Sequence, residues 1–424
     1  MSRGVVVDLF CGAGGASLGF VQAGYTVAGA VDLDDEALDT YERNLCDGYL
    51  DEYPGKVTFD SPLKGNLNSN DDDHVTFDDI RNEFDLEPGE VDVIAGCPPC
   101  QNFSKLRDTT PWPEDEPKDD LLQSYVELIR AEKPGAVFFE NVQGITNKGD
   151  GETTYSQWFK DQMRTMARDD DPEEKGYGAN LKVVNAADYG IPQRRSRTIG
   201  ICIYGASESD IEFPPETHAK DPDDESKEEW VSISDVLQKE YEEGRLKPDL
   251  NLGQKQVDID GYPDDPSHRS RRHRNDTVET MKAIRKHGDS WKDLRGTEDE
   301  EYIRECHDDL GTEAGAAYGI LDWESPAPTL TTRCTNFSSG RFTHPEENRT
   351  ITFREAALLM TFPPDFELPD KNSAAERVVG NAVPPQLVKT LVCDLELVER
   401  CPTNGPNETT IFEPAPNRKY NQCE

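Results

Sequence analysis

Apolar residues fall into short continuous runs along the first half of the chain, separated by stretches where they recur every three or four positions. Val5–Phe10, Tyr25–Asp32, Val91–Ala95, Ala136–Glu140, Lys182–Ala186 and Thr198–Tyr204 read as strands. Their near-continuous apolarity suits strands covered on both faces. Ala16–Ala23, Glu36–Asn44 and Leu121–Glu132 have helical spacing. The alternation predicts an α/β domain, a Rossmann-like doubly wound and mostly parallel sheet with helices on both faces. Asp47–His74, Thr109–Asp120 and Asp169–Gly178 interrupt it as polar or acidic loops.

The pattern changes after Tyr204. Residues 206–230 are acidic and proline-rich, and the stretch from about 231 to 345 lacks alternation and holds most of the clustered arginine. Regularity returns in Phe353–Phe362, read as a short amphipathic helix, and in Pro384–Arg400, a last helix opened by proline. These shifts predict a catalytic and cofactor-binding domain over 1–205, a smaller domain over 206–374, a segment over 375–400 that returns to the first domain, and a polar tail over 401–424.

Charge alters the picture more than composition does. The chain carries 85 acidic and 45 basic residues, a net charge of −40 spread over its whole length. Such a molecule repels itself in dilute buffer. At molar salt the screening length is only about 3 Å, and the repulsion largely disappears. The plain alternative is a very soluble acidic protein; the spread of the excess over nearly every loop favours adaptation to a salt-loaded cytoplasm. The sign alone argues against a nucleic-acid partner. Met1-Ser2-Arg3 leads straight into an apolar strand, and no run of about 18 apolar residues occurs, so neither a leader nor a membrane span is expected. Ten cysteines without a disulfide framework suit a reducing, cytoplasmic setting.

Ligands of open parallel sheets sit beyond the carboxyl ends of the strands. The first strand ends in Asp8-Leu9-Phe10-Cys11-Gly12-Ala13-Gly14-Gly15. Ser17 stands where a dinucleotide fingerprint needs its third glycine. Asp32 closes the second strand, at an offset that lets a carboxylate accept ribose hydroxyls. Together these favour an adenosine-containing cofactor without a pyrophosphate; the bland reading of Asp32 is a surface acid. Gly96-Cys97-Pro98-Pro99-Cys100 leaves the strand Val91–Ala95 on a loop stiffened by two prolines, suited to holding a sulfur toward a substrate. Its Cys-x-x-Cys is also compatible with metal or redox chemistry, although no second pair completes a site. Glu140-Asn141-Val142 ends an apolar strand, and alternation places Arg195 and Arg197 on one face.

In this order the motifs resemble the cytosine-5 DNA methyltransferases over residues 4 to about 390. Asp8–Gly15, Ala30-Val31-Asp32 and Asp79-Ile80 are similar to the family's cofactor motifs, with Asp32 where the family mostly has glutamate. Pro99-Cys100-Gln101 with Phe103-Ser104 matches the nucleophile loop. Glu140-Asn141-Val142 and Gln193-x-Arg195-x-Arg197 match the base-handling motifs. Arg354-Glu355 with Phe362-Pro363, and Gly380-Asn381-Ala382-Val383-Pro384, match the closing pair. The resemblance implies the class I methyltransferase fold with a smaller target-recognition domain, S-adenosylmethionine as cofactor, double-stranded DNA as substrate and no metal. It implies that Cys100 attacks C6 of a flipped-out cytosine, that Glu140 holds the N3 and amino edge, and that Arg195 binds O2 with Arg197 in support. Phe10, Gly12, Gly14, Asp32, Leu33, Asp79, Pro99, Asn381 and Val383 are the implied cofactor contacts, with Phe10 and Leu33 on the adenine faces and Asp79 at its amino group.

Gln101, Ser104 and Gln193 are expected at the DNA. So are Arg269, Arg271, Arg272 and Arg274, four arginines within seven residues, and Arg333 and Arg341 from a second, less acidic stretch. Thr329–His344 is the expected base-reading part. A monomer with a possible cognate restriction endonuclease is expected. The rivals are a tRNA cytosine-5 methyltransferase on the same scaffold, a nicotinamide oxidoreductase and a catalytically inactive DNA-binding relative. More than 100 residues between Arg197 and Arg354 disfavour the first, Ser17 disfavours the second, and intact nucleophile and acid motifs disfavour the third.

Overall fold

Apolar runs become strands, and spaced apolar positions become helices, close to where the pattern put them. The structure, a computed structural model, describes residues 2–47, 53–99, 120–147, 153–166, 176–222, 226–256, 262–303 and 317–393. It opens with β1 (Val5–Leu9), α1 (Gly15–Gln22), β2 (Thr26–Asp32) and α2 (Asp35–Tyr41). The short strands β3 (Lys56–Val57) and β4 (Leu63–Lys64) precede α3 (Phe77–Phe84), β5 (Val93–Gly96) and α4 (Asp120–Glu132). Then come β6 (Ala136–Val142), α5 (Tyr155–Arg164), β7 (Tyr177–Asn185), β8 (Gln193–Arg194) and β9 (Ser196–Tyr204).

The main sheet has the order β3-β2-β1-β5-β6-β9-β7, with β4 also on β2. Strands β1 to β6 pair in parallel, and β9 runs antiparallel to β6. Val6, Val7, Leu9, Val93, Ile94, Val137, Phe138 and Phe139 are wholly buried. At roughly 1.5–3 kcal/mol for each large apolar side chain, this burial dominates the sheet's stability. The chain runs from β1 out to β2 and returns to β5 on the other flank of β1. The order therefore reverses between β1 and β5, which makes their carboxyl ends the expected ligand site.

The chain divides into two compact units. The first comprises the described residues within Met1–Val184, Ser196–Pro215 and Pro385–Glu424; the second comprises those within Asn185–Arg195 and Glu216–Pro384. The second unit contains β10 (His218–Ala219), β11 (Glu228–Glu229), α6 (Ile233–Glu242), β12 (Lys255–Gln256), β13 (Asp265–Arg269) and α7 (Asn275–His287). It continues with β14 (Ala327–Pro328), α8 (Phe353–Leu359) and α9 (Asn372–Asn381). Finally α10 (Pro385–Cys393) packs in the first unit against α1, where a Cβ on Gly19 would lie 2.5 Å from Val388. Among the described cysteines Cys11, Cys46, Cys202 and Cys334 carry free thiols. Cys393 departs from the expectation of free thiols and is disulfide-bonded. Among the described residues no helix is long and apolar enough to cross a membrane.

Helix α8 corrects the expectation of an amphipathic helix, because all seven of its residues are buried. Its charges are paired inside. Arg354 Nε donates to Asp265 at 2.8 Å, and Glu355 accepts from Arg349 at 2.8 and 2.9 Å and from the Tyr241 hydroxyl. His268 joins through Thr352 at 3.0 Å. Burial alone would push the Glu355 carboxyl up, but the Arg349 guanidinium outweighs it and holds the group far below the usual carboxylate range.

Two buried histidines are expected to make the second unit acid-labile. Burial, aided by Arg349, pushes His344 down to about 3, and burial, aided by Arg271, pushes His273 down to about 4. Below about pH 6.5 the unfolded chain binds protons on these rings that the folded unit refuses. Their stabilising contribution is complete above that pH and lost as pH falls toward 4 and 3. In the first unit Asp8 has the opposite sign: burial pushes its carboxyl up to about 7, so acid favours the folded form. As pH falls below 6.5 in molar potassium chloride, hydrogen exchange corrected for intrinsic rate is expected to show the second unit losing protection first. Earlier loss in the first unit would contradict this.

Candidate active site at the carboxyl edge of the sheet

The turn after β1 is wound in the left-handed region, with φ of +58° at Phe10, +53° at Gly12 and +86° at Gly14. For a phenylalanine this conformation is strained. A Cβ on Gly14 would meet Leu45 at 2.8 Å and Tyr41 at 2.9 Å, whereas one on Gly12 would meet nothing within 4 Å. Gly14 is therefore a packing glycine, and Gly12 leaves its backbone open to a ligand. Beneath the turn, Asp8 accepts from the Ser17 amide at 3.1 Å and hydroxyl at 2.6 Å, and the Tyr41 hydroxyl donates to Ser17 at 3.0 Å. The serine that spoils a dinucleotide fingerprint thus anchors α1 to a buried acid.

Asp32 ties this turn to the next. Its Oδ2 accepts from Gly12 N at 2.8 Å, and its Oδ1 accepts from Leu33 N at 2.7 Å and Asp34 N at 2.9 Å. Two amides occupy Oδ1, so only Oδ2 retains room for a hydroxyl. Burial pushes this carboxyl up against the pull of those amides. Leu33 beside it is 59% exposed, an apolar surface at the sheet edge. Asp79 sits in the first turn of α3, where the Thr76 amide and hydroxyl donate to its Oδ2 and hold it below the usual carboxylate range. Its Oδ1 has no partner among the described residues. An apolar face, an open glycine backbone and two carboxylates with spare acceptors fit the donor and acceptor set of an adenosine group.

Strand β5 delivers the proline-cysteine loop. A Cβ on Gly96 would lie 2.2 Å from the Tyr125 ring, so glycine is required for that ring to pack under the strand end. Cys97 N donates to Leu9 O at 3.4 Å, and Asn141 Nδ2 donates to Pro98 O at 3.1 Å. Pro98 is buried and Pro99 exposed. Cys100, Gln101 and Ser104 lie outside the described residues. Strand β6 carries Glu140, and β9 pairs Arg197 with Val142, diagonally across from that acid. The two side chains meet at 3.0 Å between Nε and Oε1, 14% and 11% exposed. A nearly buried ion pair therefore stands at the end of β6, on the strand whose next residue fastens the loop before Cys100.

Three sequence expectations are corrected here. Alternation does not reach Arg195, because β9 begins only at Ser196. Arg195 is buried in the second unit and donates to the carbonyls of Leu330 at 3.0 Å, Gly380 at 3.1 Å and Ala382 at 3.0 Å. The arginine beside Glu140 is Arg197. Gln193 is also internal, accepting from Leu330 N at 3.0 Å and donating to Met360 Sδ at 3.0 Å.

The basic run does not form one surface. Arg269 is buried, donating to Pro369 O at 2.6 Å and Asn372 at 3.0 Å with its guanidinium over Phe353, and Arg271 pairs with Glu376 at 2.7 Å. Arg274 lies 3.4 Å from Asp276, and Arg341 donates to Asp289 at 2.6 Å. Buried cations need partners, and the surrounding acids and carbonyls supply them. Arg272 and Arg333 remain exposed, without a side-chain partner among the described residues. Asn381 is exposed at the end of α9, and Val383 is buried.

His287, Glu298 and Asp299 are the potential metal-ligand cluster among the described residues, but Lys286 Nζ stands 2.7 and 2.8 Å from its two carboxylates. An ammonium already occupies the place of a cation there.

A reversal point with a glycine-rich turn, a carboxylate at the next strand end and a stiff cysteine loop belongs to an enzyme acting at the sheet's carboxyl edge. The sequence profile of the C-5 cytosine-specific DNA methylases matches residues 5–396, and the chain belongs to that family. The type II methylase M.HgiDII of Herpetosiphon aurantiacus is 30% identical over 398 residues, covering 92% of this chain and 94% of its own. The type II methyltransferase M1.HphI of Haemophilus parahaemolyticus is 28% identical over 385 residues, covering 91% and 84%. A crystal structure described as a DNA modification methyltransferase encoded within an E. coli prophage shares the fold. Its TM-score is 0.54 at 21% identity, over 94% of this chain and 99% of that one.

Proposed function

We propose that this chain methylates C5 of a cytosine flipped out of duplex DNA, with S-adenosylmethionine as the donor and Cys100 as the nucleophile. The observation that carries the reading is the Glu140–Arg197 pair at the end of β6, with Asn141 fastening the loop that leads to Cys100. C5 of cytosine is a poor nucleophile. Thiolate addition at C6 makes the ring an enamine and splits one difficult step into two easier ones. Glu140 takes the N3 and amino edge and stabilises the protonated ring; Arg197 fixes that carboxylate and faces O2. Phe10, Leu33, Gly12, Gly14, Asp32, Asp79 and Pro99 hold the cofactor, and the family resemblance adds Asn381 and Val383. When bound, this sulfonium supplies the methyl group. Loss of the C5 proton and release of Cys100 restore the aromatic ring and the free thiol.

Flipping the base costs a few kcal/mol, which contacts to the duplex must offset. The second unit takes target recognition, because it holds the exposed Arg272 and Arg333. Relatives named as type II enzymes favour a cognate endonuclease with the same target. The protein works as a monomer in a salt-rich cytoplasm. Phosphate attraction fades steeply with salt, so binding there leans on base edges and the flipped-base pocket. Activity is expected to survive, or to require, molar potassium chloride; an enzyme folded and most active in dilute buffer would remove the salt-adaptation reading alone. Bisulfite sequencing of duplex incubated with enzyme and donor tests the function. Protected cytosines within one short motif are expected, and conversion of every cytosine would overturn the proposal.

A further inference from the structure

In a chain this acidic, a solvent-facing arginine has abundant carboxylates to pair with. The second unit nevertheless keeps a few arginines exposed and without a side-chain partner among the described residues, and two of them lie along one short path. Arg194 is on β8, and Arg333 follows β14 by five residues. Strand β14 pairs in parallel with β8, setting Pro328 opposite Arg194, and the Thr329 hydroxyl donates to Arg194 O at 2.8 Å. Thr331 and Thr332, between them in sequence, are exposed as well.

The frame under this strip is unusually well fixed. Leu330 is wholly buried and held at both ends of its peptide unit: its amide donates to Gln193 Oε1 and its carbonyl accepts from Arg195, each at 3.0 Å. Arg195 fastens Gly380 and Ala382 with its other nitrogen. A Cβ on Gly380 would fall 2.3 Å from Thr332 N, so the absence of a side chain lets that segment press directly on the loop. Beyond it, Cys334 N closes a turn on Thr331 O at 3.0 Å, and buried Thr335 donates to Glu376. Two buried side chains flanking an exposed arginine in one tripeptide hold a loop that presents two hydroxyls and a second arginine.

We propose that Arg194 and Arg333, with the hydroxyls of Thr331 and Thr332, form a phosphate-binding strip for the DNA backbone, and that buried Gln193 and Arg195 are its positioning residues. Guanidinium forks suit phosphate oxygens, and hydroxyls are common partners of the same oxygens. Such contacts set the register of the duplex without reading its sequence. The proposal rests on the methyltransferase reading, and its test separates the two.

Binding of a short random-sequence duplex is measured against potassium chloride concentration for the wild type, Arg194→Gln, Arg333→Gln and the double variant. Arg164→Gln, an arginine paired with Glu208 in the first unit, is the control. Each lost phosphate contact is expected to lower the slope of log affinity against log salt by about 0.9. The double variant should lose roughly twice that slope, bind several-fold more weakly and show a higher KM for DNA, while the methylated motif seen by bisulfite sequencing stays the same. Wild-type slope and affinity in the double variant would overturn the strip. A changed motif would also overturn it, by making Arg333 a base reader. A wild-type protein that binds no duplex would instead remove the functional reading beneath it. For the frame, Arg195→Lys should lower the same slope less than Arg195→Met does, because a retained cation still donates to part of the carbonyl set that holds the loop. Equal wild-type slopes in both would exclude positioning.

Discussion

A Cys100→Ser variant is expected to leave every cytosine unmethylated while still binding duplex DNA. A free thiol has a pKa of about 8.5, within reach of activation at neutral pH, and the thiolate is an intrinsically strong nucleophile. A serine hydroxyl in the same place lacks both advantages. Removing a covalent nucleophile costs on the order of 10⁶ in kcat in the best-measured hydrolase, and a loss of that scale takes methyl transfer below detection. Because the Pro98 carbonyl is fastened by Asn141, the loop's anchor does not depend on the substituted sulfur. Duplex retention measured by gel shift should therefore match the wild type. Residual methylation within tenfold of the wild type would exclude Cys100 as the nucleophile.

The second large effect belongs to Glu140. Glu140→Gln keeps the shape and loses the carboxylate that stabilises the protonated ring; a fall of about 10²- to 10⁴-fold in kcat is expected, the usual range for a positioned acid-base group. Arg197→Met should fall by a similar factor, because Arg197 holds that carboxylate at 3.0 Å and faces O2 of the same ring. The two changes disable one unit, so the double variant should be little worse than either single one. Single-turnover methylation at saturating DNA measures this directly. Losses that multiply would mean the two residues act independently, and an active Arg197→Met beside an inactive Arg195→Met would return the O2 role to Arg195.

Most of the sheet was legible in the sequence because the buried parallel strands announce themselves. Val5–Leu9, Val93–Gly96 and Ala136–Val142 are apolar on both faces, with chemistry-bearing residues just past their ends. Interior charge was not legible. Arg349 and Glu355, or Arg354 and Asp265, meet only through the fold, and nothing in their spacing separates a paired internal arginine from one facing solvent. The same blindness made Arg269 and Arg271 look like a DNA surface. Asn141 and Arg194 lie inside the base-handling motifs, but nothing in their spacing marks Asn141 as the anchor of the Pro98 carbonyl or Arg194 as exposed. Arg195 escapes the period-two alternation because it precedes the first residue of β9.

The most direct test of the central claim is covalent trapping. A duplex bearing 5-fluorocytosine at the methylated position blocks the last step, because the C5 substituent cannot leave as a proton. Wild-type protein incubated with this duplex and S-adenosylmethionine should form one adduct stable to denaturation. Its mass should equal protein plus DNA strand plus a methyl group, and peptide mapping should place the link on Cys100. No stable adduct, or one formed equally by Cys100→Ser, would contradict the account.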